Sequence, residues 1–94
     1  DLKNQMIEKK FRIKNKLGIH ARPAGQLVKV ATRFKSAIYI SRNGNEVNAK
    51  SIMGVLMLEA GHGSEVIIRI NGEDEFSALE AIEELIDKRQ FDEE

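Results

Sequence analysis

The sequence predicts an α+β fold, a two-layer sandwich in the order β-α-β-β-α-β-α. Two observations predict it. Four short segments alternate apolar and polar residues, which marks strands half-buried against a core. Between and after them apolar residues recur three and four apart, which marks amphipathic helices. Alternation in most strands favours an antiparallel sheet with one solvated face. Three helices then cover the other face, giving two layers. The 94 residues suffice for one domain with one modest core.

Taken in order, the first strand spans Lys9 to Lys14, with Phe11 and Ile13 inward and Lys10, Arg12 and Lys14 in water. From Ala21 the period changes. Ala24, Leu27, Val28 and Ala31 fall on one helical face, and the helix is expected to run to about Phe34. Pro23 suits its first turn, where a missing N–H costs nothing. Ala37 to Arg42 is the second strand, with Ile38 and Ile40 on one face. Asn43-Gly44 is a strong hairpin signal, and Glu46 to Asn48 is the short return strand. Ser51 caps a brief helix from Ile52 to about Leu58. Gly61-His62-Gly63 is a turn, and Glu65 to Ile70 is a strand with Val66, Ile68 and Ile70 inward. The last helix runs from about Glu75 to Lys88, with an apolar stripe of Phe76, Leu79, Ile82 and Ile86 widened by Ala78 and Leu85. Acidic Glu73, Asp74 and Glu75 at its start and Lys88 and Arg89 at its end match the helix dipole.

Composition excludes several functions. Fifteen basic and fifteen acidic side chains cancel, which argues against a simple nucleic-acid binder. The cancellation hides an asymmetry. Residues 1–50 hold twelve basic and three acidic side chains, and residues 51–94 hold three and twelve. Such a split suggests an electrically polarised domain. No cysteine is present, so disulfides, thiol nucleophiles and cysteine zinc sites are absent. That composition fits a reducing cytoplasm. The longest apolar stretch, Ile52 to Leu58, is far short of a membrane span, and no signal-peptide pattern opens the chain. The two histidines belong to no group with zinc-ligand spacing, so no metal or other cofactor is implied.

The informative segment is Gly18-Ile19-His20-Ala21-Arg22-Pro23-Ala24. It places His20 at the N-cap of the first helix. The free amides of Ala21 and Arg22 favour a bound anion there, and Arg22 adds a charge-assisted donor. The positive helix end and Arg22 disfavour a second proton on the ring, which leaves one ring nitrogen free as a nucleophile. These parts suit a histidine that receives and passes on a phosphoryl group, a reaction that depends on positioning and charge stabilisation. A histidine that merely starts a helix is the bland alternative. His62, in its Gly-His-Gly turn, is expected at the surface.

This segment resembles the active-centre motif of the HPr family, the phosphocarrier proteins of the bacterial phosphoenolpyruvate-dependent sugar phosphotransferase system. Asn48-Ala49-Lys50-Ser51-Ile52-Met53-Gly54-Val55 resembles the family's second signature, and the two motifs stand at the usual separation. The resemblance covers about Met6 to Ile86. It implies an open-faced β-sandwich with antiparallel strand order 1-4-2-3 and three helices on one face. Residues 1–5 are then an N-terminal extension, native or introduced, residues 6–88 the domain, and residues 89–94 an acidic C-terminal tail.

The resemblance also implies roles. His20 accepts a phosphoryl group on Nδ1 from enzyme I and donates it to a histidine of an EIIA domain. Arg22 and the amides of Ala21 and Arg22 hold the phosphate. Ser51 matches the serine modified by HPr kinase/phosphorylase, although a helix cap alone also explains it. Ile52, Met53 and Leu56 match an exposed apolar docking patch, with Val55 and Leu58 as the core residues of the same helix. The implied protein is a cytoplasmic monomer that forms a phosphohistidine but is not itself an enzyme, and it touches neither nucleic acid nor membrane. Two alternatives remain open. One is a regulatory binding module whose Ser51-phosphorylated form acts on a catabolite-control transcription factor. The other is a carrier in a nitrogen-related phosphorelay. Glu59 departs from the pattern, standing where many relatives have a small residue near the active centre. Leu17 replaces a small polar residue found in some branches.

Overall fold

The computed structural model describes residues 6–93. Residues 1–5, expected from the sequence as an extension, lie outside the described residues. The strands are β1 (Ile7–Arg12), β2 (Ala37–Arg42), β3 (Asn45–Asn48) and β4 (Glu65–Asn71), and the α-helices are α1 (Ala21–Ala31), α2 (Ile52–Met57) and α3 (Glu75–Glu83). The sheet order is β1-β4-β2-β3, every pair antiparallel. Element order and strand order are those the sequence implied.

Alternation does what it predicts. Phe11, Ile38, Ile40, Val66, Ile68 and Ile70 are buried, and Lys10 and Arg12 are exposed. Ile13 is buried as expected although β1 ends one residue earlier. Its backbone pairs with the turn before β4, donating to Ser64 O at 2.9 Å and accepting from Gly63 N at 2.7 Å. In the β2–β3 hairpin Asn43 and Gly44 have φ of 52° and 84°, as the twist of a two-residue hairpin demands.

α1 buries Pro23, Ala24, Leu27, Val30 and Ala31. It ends at Ala31, short of Phe34, because Arg33 and Phe34 donate to carbonyls three residues back, tightening the chain out of the helix. In α2, the Ser51 hydroxyl accepts from Gly54 N at 3.1 Å, and Val55 and Leu58 are buried.

The last helix departs from expectation in two ways. Its buried stripe is Ala78, Ile82, Leu85 and Ile86, while Phe76 is 72% exposed. Phe76 has helical spacing to Leu79, but the stripe that meets the sheet starts at Ala78, two residues round the helix. The regular helix also stops at Glu83, and Glu84–Lys88 form a π turn closed by Arg89 N donating to Glu84 O at 2.8 Å. Arg89 and the short helix Gln90–Asp92 follow, and Phe91 is completely buried. Residues 89–93 thus lie against the domain. Gln90, Phe91 and Asp92 have φ of 49°, 57° and 56°, a left-handed turn made without glycine.

Side chains fasten the layers at several points. The Asp74 carboxylate accepts from Lys35 N (2.9 Å), Ser36 N (3.0 Å) and Ser36 Oγ (2.5 Å), tying the start of α3 to the loop before β2. Lys9 pairs with Glu83, Lys14 with Asp87 at 3.9 Å, and Arg69 with Glu8 and Glu46 at 3.7 and 2.9 Å. Several pairs join basic residues of the first half to acidic residues of the second, so the expected separation of charge is only partial.

Candidate functional site

The connection from β1 to α1 sets the site. Asn15 O accepts from Gly18 N at 3.1 Å, closing a turn, and Ile19 N donates to Ala60 O at 2.8 Å. Gly18 has φ +71°, and a Cβ there would stand 2.5 Å from Ala60 O. No other residue fits that backbone and that contact. The next residues leave this tight turn and enter α1.

His20 is the N-cap of α1, with extended backbone (φ −89°, ψ −164°), and its carbonyl accepts from Ala24 N at 2.9 Å. Its ring makes no capping bond. The amides of Ala21 and Arg22 therefore lack intrahelical acceptors, as first-turn amides do. The His20 side chain is 38% exposed, and Arg22 is exposed beside it in sequence.

The imidazole has one strong neighbour. Nε2 lies 3.2 Å from both carboxylate oxygens of Glu93. Asn15 Nδ2 donates to Glu93 Oε1 at 3.0 Å and to Gly18 O at 2.7 Å. Asn15 itself is fully buried. The Asp92 carboxyl is held below its ordinary range, first by its hydrogen bond from Arg89 and also by the charges of Arg89 and Arg22. Neither Asn15 nor Glu93 stood out in the sequence. The available signals were slight: an asparagine three residues before Gly18, and a lone aromatic, Phe91, amid acidic residues.

The other expected residues fall as follows. Ser51 is exposed at the start of α2. Ile52 and Met53 are exposed at 43% and 65%, whereas Leu56 is half-buried against the core. The next residue, Met57, is 75% exposed and was not anticipated. Ile52 Cδ1 lies 3.9 Å from where a Cβ at Gly25 would stand, so this apolar surface adjoins α1. His62 is exposed, with Nδ1 3.3 Å from Asn15 O. Glu59 is exposed with φ +52°, in the loop whose Ala60 carbonyl holds Ile19. Among the described residues no three His, Cys, Asp or Glu side chains group to hold a metal ion, and no helix is long and apolar enough to cross a membrane.

His20 at the N-cap of α1, with first-turn amides free of intrahelical acceptors and exposed Arg22 two residues on, marks a place that can hold an anion. The family model described as "PTS HPr component phosphorylation site" matches residues 7–88. The chain belongs to the HPr family. The phosphocarrier protein HPr of Treponema pallidum (strain Nichols) is 48% identical over 89 residues, covering 95% of this chain and 100% of that protein. The HPr-like protein Crh of Halalkalibacterium halodurans is 46% identical over 83 residues, covering 88% and 99%. A crystal structure of HPr from Thermoanaerobacter tengcongensis superimposes with a TM-score of 0.89 at 42% identity, covering 94% of this chain and 98% of that one. As HPr is a phosphocarrier, membership makes this chain one of a family that carries phosphoryl groups.

Proposed function

We propose that this chain carries a phosphoryl group on Nδ1 of His20, accepting it from phosphorylated enzyme I and passing it to a histidine of an EIIA domain during sugar uptake in the cytoplasm. The carrying observation is that Nε2 of His20 is engaged by Glu93 while Nδ1 has no hydrogen-bond partner among the described residues. The free nitrogen belongs to the N-cap residue, where the amides of Ala21 and Arg22 and the Arg22 guanidinium supply donors for a dianionic phosphoryl group. Partners dock on exposed Ile52 and Met53, and Met57 extends that surface. Half-buried Leu56 contributes at its edge. We expect a monomer, so the partners complete each transition state.

Incubation with labelled phosphoenolpyruvate and enzyme I tests this reading. The expected product is one acid-labile phosphohistidine per chain, absent from His20→Ala. A His20→Ala chain that still takes up label would overturn it.

A second reading rests on Ser51, whose exposed hydroxyl sits at the start of α2 beside that apolar surface. HPr kinase/phosphorylase would modify it, and the phosphorylated form would act on a catabolite-control transcription factor. A phosphate at a helix N-terminus is locally tolerated, so its effect falls on partner choice. Loss of the cellular role in Ser51→Ala but not in His20→Ala would favour this reading. A nitrogen-related phosphorelay would instead show phosphoryl transfer to a partner unconnected with sugar uptake.

A further inference from the structure

Building on the carrier reading, we propose that Glu93 and Asn15 are positioning residues for His20: Glu93 holds the proton on Nε2, and Asn15 holds Glu93. A carboxylate has no proton to give, so the contacts at 3.2 Å make Nε2 the donor. In the neutral ring the lone pair is then on Nδ1.

The array suits transfer in both directions. When the Nδ1 lone pair attacks the phosphorus of an upstream phosphohistidine, an N–P bond forms. The donor's P–N bond breaks, and its electron pair returns to the donor nitrogen. The His20 ring keeps its Nε2 proton and gains positive charge, which the Glu93 carboxylate faces directly. On donation the N–P bond breaks and the pair returns to Nδ1. No proton need leave Nε2 in either step.

The orphaned oxygen of Asn15 supports a built arrangement. Gly18 O and Glu93 Oε1 are both acceptors, so both require Nδ2. That choice leaves Asn15 Oδ1 buried without a partner among the described residues. Unpaired buried polar atoms are rare and call for a reason. Flipping the amide would set Oδ1 against two oxygens, so the orphan follows from holding Glu93 in place. Buried Phe91, two residues before Glu93, anchors the same segment.

The test uses the full chain labelled with 15N-histidine, in wild-type, Glu93→Gln and Glu93→Ala forms. In unphosphorylated wild type, two-bond 1H–15N spectra should show a slowly exchanging proton on Nε2 and a bare Nδ1. Glu93→Ala should speed that exchange and raise the Nδ1–H tautomer. Glu93→Gln, which keeps size but not charge, should slow phosphoryl acceptance by about tenfold, by analogy with the low end of the losses seen when the partner orienting a metal-bound histidine is removed. Glu93→Asp should recover part of the rate. Ring spectra unchanged in Glu93→Ala would overturn the proposal, as would an unchanged transfer rate in Glu93→Gln. The ring spectra do not depend on transfer. A wild-type chain that accepts no phosphoryl group therefore overturns the carrier reading separately.

Discussion

Asp74 shows how one side chain can fasten two elements. Its carboxyl is lowered to about 2 from 3.8, first by the Ser36 hydroxyl and then by the Lys35 amide, with the Ser36 amide adding to them. A depressed folded-state value means that the charged form stabilises the fold. That contribution is complete above the unfolded value near 3.8 and is lost as pH falls through about 2. Asp74→Asn, which keeps the shape but removes the charge, should lower the thermal midpoint at pH 6. The gap from wild type should narrow between pH 4 and pH 2. A gap independent of pH over that window would remove the charge from the account. Glu59 is the opposite case, a residue in a conformation that opposes it. Its φ of +52° explains why a glycine-like residue suits that position, since non-glycine residues in the left-handed region cost about 1 kcal/mol each.

At the scale of elements, the C-terminal segment is the least expected part. Its three left-handed residues carry backbone strain, and buried Phe91 offsets it. Phe91→Ala should cost about 3 kcal/mol in urea denaturation, the low end for a buried phenylalanine, because a segment held by one buried side chain beyond α3 can detach locally. Amide exchange should quicken first in residues 89–93. An equal rise across β4 would mean that the segment does not open independently.

Periodicity made the strands, α1, the hairpin and the buried half of α2 legible, because each is set by neighbours a few residues away. His20, Arg22 and Ser51 were legible for the same reason, as members of local motifs. Phe76 was misplaced because amphipathic spacing does not fix the phase at which a helix meets its sheet. Glu93 was invisible for a different reason. It meets His20 across 73 residues, delivered by a π turn and a left-handed turn that no periodic pattern encodes.

For the whole molecule, the charge split is softened by pairing but not erased. Lys9, Lys14 and Arg69 have acidic partners, while Arg22, Lys29, Arg33 and Lys35 have no ion-pair partner among the described residues. Lys10, Lys16, Arg42 and Lys50 lack one as well, so the stretch on and just after the helix that begins at His20 carries part of the unpaired positive charge. An acidic partner surface would be steered toward it, and salt shortens the reach of that field from about 10 Å at 0.1 M to about 3 Å at 1 M. Transfer from the upstream donor should slow severalfold over that range under second-order conditions. A rate indifferent to salt would show that encounter is not charge-guided.

The strand order and the last turns give the molecule a timetable as well as a shape. His20 leaves the ribosome early, and Glu93 is added 73 residues later. At about 5–20 residues per second that interval is roughly 4–15 s. For those seconds a growing chain displays a histidine whose partner has not yet been made. The pairing at Nε2 therefore exists only in a chain translated through Glu93.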